Sequence, residues 1–166
     1  MVAVSGIKNS GKTTLLTGLI PRLTACGLKV AVIKHDGHDF APDVPGTDSF
    51  RLRQAGAGIV AVYSARRYFL TADRPGTTVE ELAGQMAEAD LILLEGGKGS
   101  DYPKVEVVRG AVSNQSVCRP ETLLAIATDT ALTVPGVARV GLEDYEGLAR
   151  IITNYLAALK RPVFKP

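Results

Sequence analysis

The sequence predicts an α/β fold: a mostly parallel central sheet flanked by helices, with an antiparallel hairpin extension. Three observations lead there. Short continuous apolar runs, such as Val30–Ile33 and Leu91–Leu94, have the length and composition of strands buried on both faces. Between Val2–Val4 and Val30–Ile33, Leu15, Leu16, Leu19, Ile20 and Leu23 recur at helical spacing. Glycine-rich or polar stretches follow several runs, at Gly6–Gly11, His35–Asp39 and Gly96–Gly99, as expected outside the carboxyl ends of strands in an open sheet.

In chain order, Val2–Val4 is a short buried strand. A helix is predicted from Lys12 to Cys26 and stopped by Gly27. Pro21 removes one of its hydrogen bonds and predicts either a kink near Thr17 or an end at Ile20 with a restart. Lys29–Lys34 is the second strand, covered on both faces. Pro42, Pro45 and Gly46 break the next stretch, and Thr47 or Asp48 caps a short helix through Ala55. Ile59–Tyr63 and Arg67–Thr71 form strands joined by a tight turn at Ser64–Arg66. Thr77 or Thr78 opens a helix with Glu80 and Glu81 in its first turn and Val79, Leu82, Ala83 and Met86 as its apolar stripe. Asp90–Glu95 is the strongest strand. Lys104–Arg109 alternates, so it is expected half-exposed or at an edge, and with Gly110–Gln115 it suggests an extended hairpin open to pairing. Leu123–Ala127 and Val137–Val140 are further strands, and Glu143–Leu159 is a closing helix.

With 166 residues, the chain reads as one nucleotide-binding domain over 1–160 with a C-terminal tail at 161–166. Hydrophobic residues are 46% and charged residues 22%, the balance of an ordinary globular domain. A net charge of +2, with both signs interspersed, makes no case for nucleic acid or a membrane as partner. Cys26 and Cys118 match no metal spacing and read as reduced core residues. A first strand at Val2 leaves no room for a signal peptide, so the cytoplasm is the expected compartment.

The organising stretch is Gly6-Ile7-Lys8-Asn9-Ser10-Gly11-Lys12-Thr13, followed by Thr14. It fits G-x-x-x-x-G-K-[ST], the phosphate-binding loop, and its strand–loop–helix setting is the one that motif requires. It therefore predicts a P-loop NTPase fold. The first amides of a helix have no partner inside the helix, and the helix start carries about half a positive charge. Gly6 and Gly11 let the backbone close around phosphates. Lys12 reaches the β- and γ-phosphates, and the Thr13 hydroxyl suits Mg²⁺. Such a loop needs an acidic partner at the end of an apolar strand. Glu95 occupies that place, whereas Asp90 starts the same strand and belongs at the opposite end. Asp36 is a second acidic candidate, to hold Mg²⁺ or orient a water, with Gly37–Gly46 as a switch segment. His35 and His38 either shape the loop or bind a metal. Thr128-Asp129 either reads a guanine edge or is a turn.

These residues together resemble the molybdopterin-guanine dinucleotide biosynthesis adapter family, the MobB-type proteins. The resemblance rests on Gly6–Thr14, on Val32-Ile33-Lys34-His35-Asp36-Gly37-His38, on Gly46-Thr47-Asp48-Ser49 with Arg51, Arg53 and Ala55-Gly56-Ala57, and on Leu93-Leu94-Glu95-Gly96 with Pro103–Val107. It implies a GTP-binding P-loop protein with weak GTPase activity that forms a homodimer. It also implies a role beside the molybdopterin guanylyltransferase, and alongside other molybdopterin-handling enzymes. Carried over by position, Asn9 through Thr14 hold the phosphates, Thr13 and Glu95 face Mg²⁺, and Asp36 lies in the switch-like loop; with Gly6 these loop residues, Asn9, Ser10, Gly11, Lys12, Thr13 and Thr14, make the expected GTP site, and Lys12 and Asp36 are the candidate catalytic residues. Relatives in the wider class have a lysine directly after the first loop glycine; here Ile7 stands there and Lys8 follows. Two other readings fit the residues. One is a small-molecule kinase whose acceptor is held by His35, Asp36, Arg51 and Arg53. The other is a metallochaperone using His35 and His38.

Overall fold

The computed structural model describes residues 1–37, 40 and 43–159. His38, Asp39, Pro42 and the 161–166 tail therefore lie outside the described residues. The chain forms two compact units, one from residues 1–35 with the chain from Leu82 onward, the other from residues 36–81.

The first unit is built on a six-stranded parallel sheet. Its strands are β1 (Val2–Ser5), β2 (Val30–Lys34), β5 (Leu91–Glu95), β6 (Lys104–Val108), β7 (Leu123–Thr128) and β8 (Ala138–Val140). They lie in the order β2-β5-β1-β6-β7-β8. Helices α1 (Lys12–Ala25) and α4 (Tyr145–Leu159) pack on one face. Val2, Val4, Leu91, Leu93, Val105 and Val107 point from the strands into Leu15, Leu16, Leu19, Leu148 and Ile152 from the helices. A smaller core gathers Val108, Cys118, Leu123 and Ile126, with Leu132, Val134 and Val137 against it. Helix α1 runs unbroken through Pro21, so it does not end and restart.

The second unit holds α2 (Asp48–Gln54), the antiparallel pair β3 (Ile59–Tyr63) and β4 (Tyr68–Ala72), and the start of α3 (Val79–Gly84). The Thr47 hydroxyl caps α2 by accepting from the Phe50 N–H. At α3 the Thr78 hydroxyl accepts from the Glu81 N–H while the Glu81 carboxylate accepts from the Thr78 N–H, a reciprocal cap. The hairpin extension is thus β3–β4.

Several expectations need correction. Lys104–Val108 is neither an edge strand nor half of a hairpin with Gly110–Gln115. It is β6, buried along its whole length between β1 and β7. Its alternation comes from Lys104 and Glu106, whose charged ends are hydrogen-bonded from the loops above them. Lys104 Nζ donates to the Ser100 carbonyl (2.6 Å), and the Glu106 carboxylate accepts from the Ser116 hydroxyl (2.5 Å) and the Val117 N–H (2.7 Å). Conversely β2, expected to be covered on both faces, is the edge strand, and its Val32 is 39% exposed. Cys26, expected in the core, is exposed just past α1, whereas Cys118 is buried. Among the described residues no helix is long and apolar enough to cross a membrane.

Candidate functional site

Residues Gly6–Gly11 connect β1 to α1 at the carboxyl end of the sheet. The loop needs its glycines. Gly6 has φ 140°, and a Cβ there would come 2.5 Å from the Val107 carbonyl oxygen. Gly11, at φ 99°, would bring a Cβ within 2.9 Å of the Arg109 guanidinium. Asn9, at φ 63°, is the one non-glycine with positive φ among the described residues, a conformation asparagine tolerates. Gly11 precedes α1 without a side-chain cap, and no acidic residue lies in the first turn. The opening amides of α1 therefore have no capping side chain and no acidic residue in the helix's own first turn.

Around these amides the structure gathers the loop residues named from the sequence. Lys12 folds across the loop and its Nζ donates to the carbonyls of Ile7 (2.7 Å) and Gly6 (3.3 Å). The Thr13 hydroxyl donates to Glu95 Oε1 at 2.8 Å. Glu95 ends β5, whose register sets it beside Val4 of β1, and it is only 8% exposed. Ser10 is buried, and its Oγ has no hydrogen-bond partner among the described residues. Asp90 lies at the far end of β5, where its carboxylate accepts from the Lys29 N–H (2.8 Å). His35 follows β2, with its N–H donating to the Glu95 carbonyl (3.2 Å). Asp36 opens the second unit.

Other candidates are engaged elsewhere. Asp129 Oδ1 accepts from the Gly110 N–H (2.7 Å), and the Thr128 hydroxyl, at the end of β7, accepts from the Thr130 N–H (3.0 Å). Arg53 pairs with Asp73 (2.9 Å), and Arg51 lies 3.9 Å from Asp48, both within the second unit. Among the described residues no three His, Cys, Asp or Glu side chains converge as a metal site would need.

Arg109 was not singled out from the sequence. It leaves β6 and its Nε donates to the Ser10 carbonyl (3.2 Å), a bond across 99 residues of sequence. The signal was present, since a cation directly after a strand sits at the ligand-binding end of such a sheet. It became readable only once β6 was known to lie next to β1.

The sequence profile described as MobB, molybdopterin guanine dinucleotide synthesis protein B, matches residues 1–129. The chain belongs to that family. It is 36% identical to the molybdopterin-guanine dinucleotide biosynthesis adapter protein of Escherichia coli, over 94% of this chain and 93% of that one. The Haemophilus influenzae protein of the same name is 34% identical, over 94% of this chain and 89% of the other. The crystal structure of Bacillus subtilis MobB has the same fold, with a TM-score of 0.73 and 27% identity, covering 92% of this chain and 95% of that one. Family membership thus extends well beyond the phosphate loop.

Proposed function

We propose that the chain binds GTP with Mg²⁺ at this loop, hydrolyses it slowly, and acts as an adapter in molybdopterin guanine dinucleotide biosynthesis in the cytoplasm. The observation that carries the reading is the Thr13–Glu95 hydrogen bond beneath the opening amides of α1. A hydroxyl and a buried carboxylate in contact there suit a hydrated Mg²⁺, and the loop has no room for side chains at Gly6 or Gly11. Among the described residues Lys12 Nζ donates only to the loop carbonyls of Ile7 and Gly6, so its charge is available to a phosphate. Mg²⁺ would neutralise charge on the β- and γ-phosphates. Arg51 and Arg53 have carboxylate neighbours in their own unit.

The adapter role is supported by the names of the E. coli and H. influenzae relatives. Its partner is the guanylyltransferase that joins the nucleotide to molybdopterin. The exposed apolar side chains of Ile59, Tyr63, Tyr68 and Leu70 on β3–β4 are suited to protein contact. We take residues 1–160 as one nucleotide-binding domain acting as a homodimer, with Lys104–Val108, buried as β6, unavailable for pairing. The test is calorimetric titration of GTP with Mg²⁺ against the native chain and Lys12→Ala. The variant is expected to keep its circular dichroism spectrum and to lose nucleotide binding; retained affinity would refute the loop as the site.

A further inference from the structure

We propose that Arg109 is a positioning residue of the phosphate loop: its Nε–H holds the Ser10 carbonyl, so that the Gly11 amide of the same peptide is presented to a bound phosphate. The inference rests on the reading of the loop as a triphosphate site.

The Ser10–Gly11 peptide leads from the loop into α1. The first backbone bond of that helix runs from the Leu15 N–H to the Gly11 carbonyl (2.9 Å). Among the described residues the amides of Gly11, Lys12, Thr13 and Thr14 have no backbone acceptor. The carbonyl and the N–H of a trans peptide point in opposite directions, because the bond is planar. Fixing the Ser10 carbonyl therefore fixes the Gly11 N–H. Arg109 Nε donates to that carbonyl at 3.2 Å, and among the described residues it is the carbonyl's one partner.

This peptide needs holding. Gly11 has φ 99° and no Cβ, so its backbone can adopt either sense of the peptide. A turned peptide aims the Gly11 N–H away from the phosphates and puts a carbonyl oxygen in its place, facing an anion. The Ser10 side chain does not prevent this, since its buried Oγ has no hydrogen-bond partner among the described residues.

The guanidinium fits because the residue beneath it is glycine. It packs on the face of Gly11 where a side chain would stand, with a terminal nitrogen 2.9 Å and Nε 3.4 Å from an added Cβ. Gly11 thus admits the positive φ and also leaves room for the arginine that holds its peptide. The strand order makes the contact possible: β6 lies beside β1, so the residue after β6 arrives next to the loop after β1. Among the described residues Arg109 has no ion pair, so no carboxylate sets where its guanidinium rests. A phosphate on the loop would also be attracted to its charge, and the experiment separates that attraction from the held peptide.

Three variants divide the N–H from the charge. In Arg109→Gln the side-chain nitrogen is joined to Cδ, as Nε is, so a neutral donor remains at the same place. Arg109→Lys keeps the charge and puts a carbon where Nε stood. Arg109→Met removes both. Each is titrated by calorimetry with GTP and with inorganic tripolyphosphate, in Mg²⁺, beside the native chain. Arg109→Gln is expected to bind both within about fivefold of native, the cost of exchanging a charged donor for a neutral one. Arg109→Lys and Arg109→Met are expected to weaken both by roughly tenfold to a hundredfold, because affinity falls with the fraction of loops in the competent state. Circular dichroism and the urea midpoint show whether each variant is folded, and the comparison of glutamine with lysine decides the matter without the methionine variant. Tighter binding by Arg109→Lys than by Arg109→Gln would mean that Arg109 supplies charge and not position, and native affinity in Arg109→Met would mean that it supplies neither. Either result overturns the inference and leaves the loop reading standing, since native protein still binds tripolyphosphate. If native protein binds neither ligand, both readings fall.

Discussion

Lys104, Glu106 and Cys118 form a polar cluster sealed beneath the loops on one side of β6. Burial raises the Cys118 thiol to about 12 from its ordinary 9.0, with the Glu106 carboxylate adding to the effect. Burial lowers the Lys104 ammonium. The two act on stability with opposite signs. Between pH 9.0 and about 12 the unfolded thiol ionises while the native one keeps its proton. The stabilisation from the neutral thiol is therefore complete below that window and is lost as pH rises through it. The native lysine sheds its proton earlier than the unfolded one, so its contribution rises with pH. Cys118→Ala should remove only the falling component. Urea unfolding across the alkaline range should give a slope of stability against pH more positive than native, by at most roughly 1.4 kcal/mol per pH unit. An unchanged slope would mean that the thiol does not titrate with folding.

At the scale of elements, the seam between α1 and α4 is set by Gly18. A Cβ there would fall inside the van der Waals surface of the Tyr145 ring, which Arg22 covers from 5.3 Å while it pairs with Glu146. Gly18→Ala gains about 1 kcal/mol of helix propensity. Overpacking against a ring held on both sides costs about 1–3 kcal/mol. The clash should win, lowering the urea midpoint by the equivalent of about 1 kcal/mol without changing the slope; a raised midpoint would mean the helices can part freely. Nothing local in the sequence marks Gly18, because its partner lies more than 120 residues away. The same limit explains the exchanged strands. Periodicity reads one strand's side chains against an assumed surface. For Lys104–Val108 the polar positions were read as solvent-facing, although the loop through Ser100 and the Ser116–Val117 segment hydrogen-bond them in the interior. The apolar run of β2 suggests cover on both faces, although Val32 is 39% exposed and β5 pairs with only one of its edges. The phosphate loop and Glu95 were legible because their chemistry depends on short-range spacing and on a strand end. The place of Arg109 depends on which strand neighbours β1, and that is a long-range fact.

Across the whole molecule, the two units differ in how much they bury. The first holds the sheet, both apolar clusters and the phosphate loop. In the second, α2 has no buried residue, and in β3 and β4 only Val60 and Thr71 are buried. A two-stranded ribbon with so little covered surface is marginal by itself, and opening free energies follow local burial. Hydrogen exchange should therefore separate the units. Amides of β1, β5 and β6 are expected to exchange only on global unfolding. Those of β3–β4 should exchange faster by two or more orders of magnitude, an opening free energy lower by roughly 3 kcal/mol. The measurement belongs at protein concentrations low enough to keep chains apart, because pairing across the exposed face of Ile59, Tyr63, Tyr68 and Leu70 would add protection that rises with concentration. Equal exchange in both units at high dilution would mean that residues 36–81 unfold only with the sheet, so that their few buried side chains understate what holds them.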